Sequence, residues 1–173
     1  GTRSMSAAAT LNLPLPSAFL NRRIFAGPGP GAPSAYRLNS RIGEVAYDPQ
    51  KIIALPRGIF GFAGIRKSIL LQLDPAHFGP LNLLQIVDEP RLAFLFYPDT
   101  PECSFYRREH LLDAYRALGC DPETAAALVL ATVRAPPQGI TLNLRAPILV
   151  NTSARTAIQH ILSDGDYPVR FKP

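Results

Sequence analysis

The sequence predicts a mostly β domain: an antiparallel β-barrel or barrel-like sandwich with one or two short helices. Apolar residues fall in runs of strand length, separated by turn chemistry such as Asp48-Pro49-Gln50, Asp74-Pro75 and Asp88-Glu89-Pro90. One segment only, Arg107 to Leu118, has strong helical spacing. With 173 residues, 47% apolar and 18% charged, the chain is large enough to close a single core.

The elements follow in order. Gly1 to Ser4, ahead of Met5, read as a cloning remnant, and residues 6–33 as a Pro/Gly-rich leader. Gly27-Pro28-Gly29-Pro30-Gly31-Ala32-Pro33 suits neither a helix nor a central strand, because prolines lack a donor and glycines lose entropy on ordering. The leader is expected to be a flexible tail or an arm laid on the surface, dispensable for folding, with residues 34–173 forming one domain. Tyr36 to Tyr47 is expected as a strand, then Lys51 to Leu55, the glycine-punctuated loop Arg57 to Phe62, and strands Ile65 to Leu73, Leu81 to Val87 and Leu92 to Tyr97. In the helix, Leu111, Leu112, Tyr115 and Leu118 share one face and Gly119 stops it. A helical turn at Pro122 to Ala125 follows, then strands at Ala127 to Arg134, Ile140 to Leu144, Ile148 to Val150 and Thr156 to Leu162.

Composition excludes several classes. No apolar run approaches the roughly 20 residues of a membrane helix, and Ser6 to Leu20 lacks the basic start of a secretory signal. Two cysteines, Cys103 and Cys120, do not make a disulfide framework and fit a cytoplasmic protein. Of the net charge of +5, Arg3, Arg22 and Arg23 of residues 1–33 supply +3; the remaining 15 basic and 13 acidic residues leave +2, spread along the chain. Direct nucleic-acid binding, which concentrates cations on one face, is not expected.

A search for chemistry finds no convergent set. His77, His110 and His160 have no Gly-x-Ser-x-Gly elbow or evident nucleophile partner, and both cysteines read as inert thiols. Asp164-Gly165-Asp166 lacks the remaining ligands of a calcium loop, and Gly58-x-x-Gly61-x-x-Gly64 is not followed by the helix of a phosphate cradle. No metal and no cofactor is expected. Binding, not catalysis, is the reading that remains. Two readings from other classes stay open: a small flavin-binding β-barrel enzyme and a basic RNA-binding barrel.

Three segments in order resemble the FliW family of flagellar assembly factors. Leu55-Pro56-Arg57-Gly58-Ile59-Phe60-Gly61-Phe62 is similar to the family's Gly-Leu-Pro-Gly-Phe element, with Phe60 where proline is usual. Leu84 to Phe94, centred on Asp88-Glu89-Pro90, resembles its strand–turn–strand hairpin. Leu142-Asn143-Leu144-Arg145-Ala146-Pro147-Ile148-Leu149-Val150-Asn151, followed by Gln159-His160-Ile161-Leu162 and Tyr167-Pro168, is the most specific of the three. The resemblance covers about residues 36–170 and implies a cytoplasmic, non-enzymatic, chaperone-like protein. It implies two partners, flagellin and the carbon-storage regulator CsrA, an RNA-binding translational repressor. Sequestering CsrA once flagellin is exported would couple flagellin synthesis to export. Candidate partner-binding residues are Gly58, Ile59, Phe60, Gly61, Phe62, Asn143, Arg145, Pro147 and Asn151. Each has a structural alternative: glycines for positive φ, asparagine amides bridging strand ends, Pro147 at an edge or bulge, one of Phe60 and Phe62 buried in the core, and Arg145 mid-strand facing solvent or paired with a carboxylate.

Overall fold

The computed structural model describes residues 24–27, 36–100 and 104–173. The expected cloning remnant, most of the expected leader, and Cys103 lie outside these residues. Among the described residues ten strands run in chain order: β1 (Tyr36–Ser40), β2 (Gly43–Tyr47), β3 (Ile53–Ala54), β4 (Lys67–Leu71), β5 (Asn82–Ile86), β6 (Ala93–Asp99), β7 (Ala125–Arg134), β8 (Gly139–Leu142), β9 (Ile148–Asn151) and β10 (Thr156–Gln159). The helices are α1 (Pro75–Phe78) and α2 (Arg108–Ala117).

Neighbouring strands run β6-β5-β4-β3-β10-β9-β7, and β7 pairs back to β6, so seven strands close a barrel. Strand β8 extends from β7 outside the ring. Every contact in the ring is antiparallel except β3–β10, where Ala54 meets Thr156 in parallel. The barrel is therefore of mixed orientation, a refinement of the antiparallel expectation.

The ring strands are buried on both faces, which explains why they read as apolar runs without clean alternation. Leu70, Leu84, Ile86, Phe96, Leu128, Ile148 and Val150 point into the barrel. Alternate residues point outward beneath added layers. Tyr97, Ala127, Val129 and Leu149 pack under α2 and the C-terminal segment, through Leu111, Ala114, Tyr115, Leu162 and Tyr167. Ile69, Leu71 and Leu83 pack under the β1–β2 hairpin, through Leu38 and Tyr47.

Local chemistry accounts for most boundaries. Asp48, Asp74 and Asp121 each accept the backbone N–H two residues on (2.9, 3.0 and 3.0 Å), and each precedes a proline that opens a short helical turn. The expected single strand over 36–47 is instead a hairpin. The Ser40 hydroxyl accepts the Ile42 N–H at 3.1 Å and Gly43 adopts φ 109°, so the chain reverses over Arg41-Ile42. Expected to stop at Pro98, β6 continues to Asp99. Past Phe96, its β5 partner has ended, so the proline's missing donor costs no ladder bond on that side.

Of the expected leader, Ile24–Gly27 is laid against the barrel. Phe25 bridges Leu70 in parallel, Ala26 N–H donates to the Leu70 carbonyl at 2.9 Å, and Asp48 N–H donates to the Ala26 carbonyl at 2.9 Å.

Candidate partner-binding site

The site candidates at residues 58–62 form a small, braced hairpin. Leu55 N–H donates to Arg66 O (2.8 Å) and closes the base of the loop. Gly58, at φ 65°, turns the chain inward; a Cβ there would lie 2.5 Å from Phe62 O and 2.9 Å from Ala63 Cα, so only glycine fits. Ile59 is buried among Ile53, Leu55 and Ile65. It exchanges backbone hydrogen bonds with Phe62 (2.7 and 3.3 Å), leaving Phe60 and Gly61 at the tip. Gly61 supplies the positive φ, 87°, that the third position of such a turn favours.

Both rings at this tip face solvent. Phe60 is 54% exposed and Phe62 42% exposed, so the expectation of one buried and one exposed ring is corrected: Ile59 is the core plug of this loop. Phe62 rests edge-on against Phe94, ring centres 5.6 Å apart. Below it opens a groove of about 610 Å³ lined by Phe62, Gly64, Ile65, Asp88, Glu89, Arg91 and Leu92. Asp88 is occupied structurally, accepting the N–H groups of Arg66 (2.8 Å) and Lys67 (3.2 Å).

Gln159 joins this loop to the third motif. Its Oε1 accepts the Phe60 N–H at 2.8 Å, and its Nε2 donates to Ala146 O at 3.1 Å. The side chain is 9% exposed, so a buried amide fixes the tip of one loop to the middle of another. Gln159 stands in the third motif but was not among the candidate partner-binding residues, although an amide inside the apolar stretch Thr156 to Leu162 was a signal for it.

Around Ala146 the candidates divide by role. Asn143 Oδ1 accepts the N–H groups of Arg145 (3.1 Å) and Ala146 (3.2 Å), so it builds the turn. Pro147 is buried, and its carbonyl accepts His160 N–H at 3.0 Å. Arg145 lies in the loop between β8 and β9, not mid-strand; it is exposed, and its Nε donates to Tyr167 O at 3.1 Å. Asn151 stands at the other end of β9, opposite Thr156 at the β9–β10 turn, where its Oδ1 accepts Ala154 N–H at 3.1 Å. The structure thus brings Phe60, Phe62 and the Asn143–Pro147 turn to one end of β10 and leaves Asn151 at the other. Among the candidates the side chains of Phe60, Phe62 and Arg145 are exposed, and those of Asn143 and Asn151 are half-buried.

The titratable groups surveyed from sequence do not converge. His160 is held below the usual histidine range by burial and then by Arg57. Burial pushes the Cys120 thiol up. His110 Nδ1 lies 2.6 Å from Tyr167 Oη. Among the described residues no group of three His, Cys, Asp or Glu side chains could hold a metal, and no helix is long and apolar enough to cross a membrane.

Comparison with known proteins places this architecture. The model of the FliW protein family matches residues 38–173. The flagellar assembly factor FliW of Syntrophus aciditrophicus is 32% identical over 133 residues, covering 76% of this chain and 83% of that protein. That of Geotalea uraniireducens is 35% identical over 133 residues, covering 76% and 79%. A crystal structure of the flagellar assembly factor FliW superposes with a TM-score of 0.62 at 26% identity, covering 80% of this chain and 99% of that one. The family match runs from the first hairpin to the last residue and takes in the Gly58–Phe62 loop, Gln159 and the Asn143–Pro147 turn: this chain belongs to the FliW family.

Proposed function

We propose that the protein is a cytoplasmic flagellar assembly factor that binds flagellin, a CsrA-type translational regulator, or both, and so couples flagellin synthesis to export. It acts by binding and not by catalysis. The observation that carries this reading is the pair of solvent-facing rings, Phe60 and Phe62, on a loop that Gly58, Ile59 and Gln159 hold rigid. A rigid loop presenting aromatic anchors loses little entropy on binding, and aromatic anchors dominate many interfaces. Arg145, exposed on the turn that Gln159 ties to the same loop, adds a cation for an acidic group of the partner. Phe62, Ile65 and Leu92 offer an apolar floor, with Glu89 and Arg91 at the rim.

The test is titration calorimetry of the purified protein against flagellin and against the CsrA-type regulator. Binding of at least one partner supports the reading. No binding to either, by protein that melts cooperatively, would remove it.

A further inference from the structure

A barrel strand pairs on both sides only where both neighbours are long enough. Strand β3 meets β4 at Ser68 and Lys67 alone, so from Ile69 to Leu71 the β3-facing side of β4 has no barrel partner. Such an edge is a template for an extended chain. Here the arm Ile24–Ala26 fills it. Phe25 bridges Leu70 in parallel, and Ala26 is held from both sides, donating to Leu70 O and accepting from Asp48 N–H, each at 2.9 Å. Ile24, 6% exposed, joins the barrel interior beside Leu70; Ala26, 0% exposed, joins the outer cluster of Leu38, Tyr47, Ile69 and Leu71.

The seam and its occupant fall on opposite sides of the start of the family match. Leu38, Tyr47, Asp48 and Ile69–Leu71 all lie within the residues matched to the FliW family, 38–173, whereas Ile24–Ala26 lies outside them. The acceptor therefore lies within the region matched to the family, and the occupant lies ahead of it. Among the described residues, the backbone hydrogen bonds to Leu70 and from Asp48, the buried Ile24 and Ala26 and the partly buried Phe25 hold the arm, and a segment laid along a strand edge in this way can open locally without opening the barrel.

We propose that this seam is a strand-acceptor site for an extended segment of a partner protein, and that Ile24–Ala26 occupies it in cis as an internal competitor. The seated arm defines the chemistry accepted: a branched apolar residue, an aromatic residue and an alanine-sized residue in succession. Backbone groups provide the hydrogen bonds, and no charge sits at the buried positions. The site stands apart from the Phe60–Phe62 loop, so its failure leaves that reading untouched.

The experiment uses the full chain and a fluorescent peptide of residues 20–30. Ala26→Asp places a carboxylate where nothing is exposed and expels the arm. The variant is expected to bind the peptide at least about tenfold more tightly than wild type, because the competitor no longer fills the site, and the peptide is expected to raise its melting temperature. A peptide carrying the same A26D change is expected not to bind. A folded variant that binds the peptide no better than wild type overturns the proposal. If the variant does not fold, hydrogen exchange on the wild type decides. The Asp48 amide, bonded to the arm, is expected to exchange at least about tenfold faster than the Ile86 amide of the barrel. Equal rates would mean the arm is a fixed part of the core, and the proposal falls.

Discussion

Gly58 and Gly61 look equivalent in sequence but differ in space. Both have positive φ, yet a Cβ on Gly58 would strike Phe62 O and Ala63 while one on Gly61 meets nothing within 4 Å. Gly61→Ala is expected to cost about 1 kcal/mol from backbone strain alone. Gly58→Ala is expected to cost about 3 kcal/mol, since the loop must also shift. Paired urea melts check the order; equal losses would mean the loop is not braced as described. Asp99 carries a second residue-scale prediction. Desolvation pushes its carboxyl up to about 7, against the lowering effect of the Phe105 N–H (2.8 Å) and the Ser104 hydroxyl (3.1 Å). Its folded-state value lies above its unfolded one, so the folded state holds the extra proton. The stability from Asp99 is complete below about pH 4 and is lost as pH rises to about 7. Asp99→Asn is expected to flatten the pH dependence of the melting temperature across that window and to melt higher than wild type at pH 8. An unchanged pH profile would show that Asp99 is solvated. Neither effect was legible in the sequence: glycine spacing does not say which neighbour approaches, and the half-buried Asp99 has Tyr106 and Tyr115 close enough to interact only because α2 and the segment before it fold back onto the barrel.

At the scale of elements, punctuation was legible and pairing was not. The Asp-Pro turns, the α2 stripe of Leu111 and Tyr115, and the Gly119 stop lie where local chemistry puts them, because each is decided within a few residues. The 36–47 stretch misled because its turn, Ser40 to Gly43, contains Arg41 and Ile42 in place of an Asn-Gly pair. Helix α1 escaped notice because four residues are too few for a periodic signal. The arm is the most consequential case. Its burial depends on a gap left by the two-residue β3, a fact of tertiary pairing that no local pattern announces. Burying Ile24 is worth about 2 kcal/mol, so removing residues 1–27 is expected to lower the melting temperature by about 4–8 °C. An unchanged melting temperature would mean that the arm adds nothing to stability.

At the scale of the molecule, the barrel has two coats: the β1–β2 hairpin over β4 and β5, and α2 with the C-terminal segment over β6, β7 and β9. These coats leave the tip of the 58–62 loop uncovered. A mostly β barrel could be read from strand length and turn spacing, while the parallel β3–β10 contact and the place of β8 outside the ring depend on long-range pairing. The candidate site was legible in part. Phe60, Phe62 and Arg145 are exposed, whereas Gly58, Ile59, Asn143 and Pro147 shape or support the loops that present them, and Gln159, which unites those loops, was read as part of a motif but not as a site residue. The central claim is that Phe60 anchors a partner without supporting the fold. The measurement that tests it most directly is calorimetric titration of wild type and Phe60→Ala with flagellin and the CsrA-type regulator, alongside thermal melts of both proteins. The account predicts stability within about 0.5 kcal/mol of wild type and affinity for a partner weakened by about 2 kcal/mol, roughly thirtyfold. A variant that melts normally and binds every partner at full strength would contradict it.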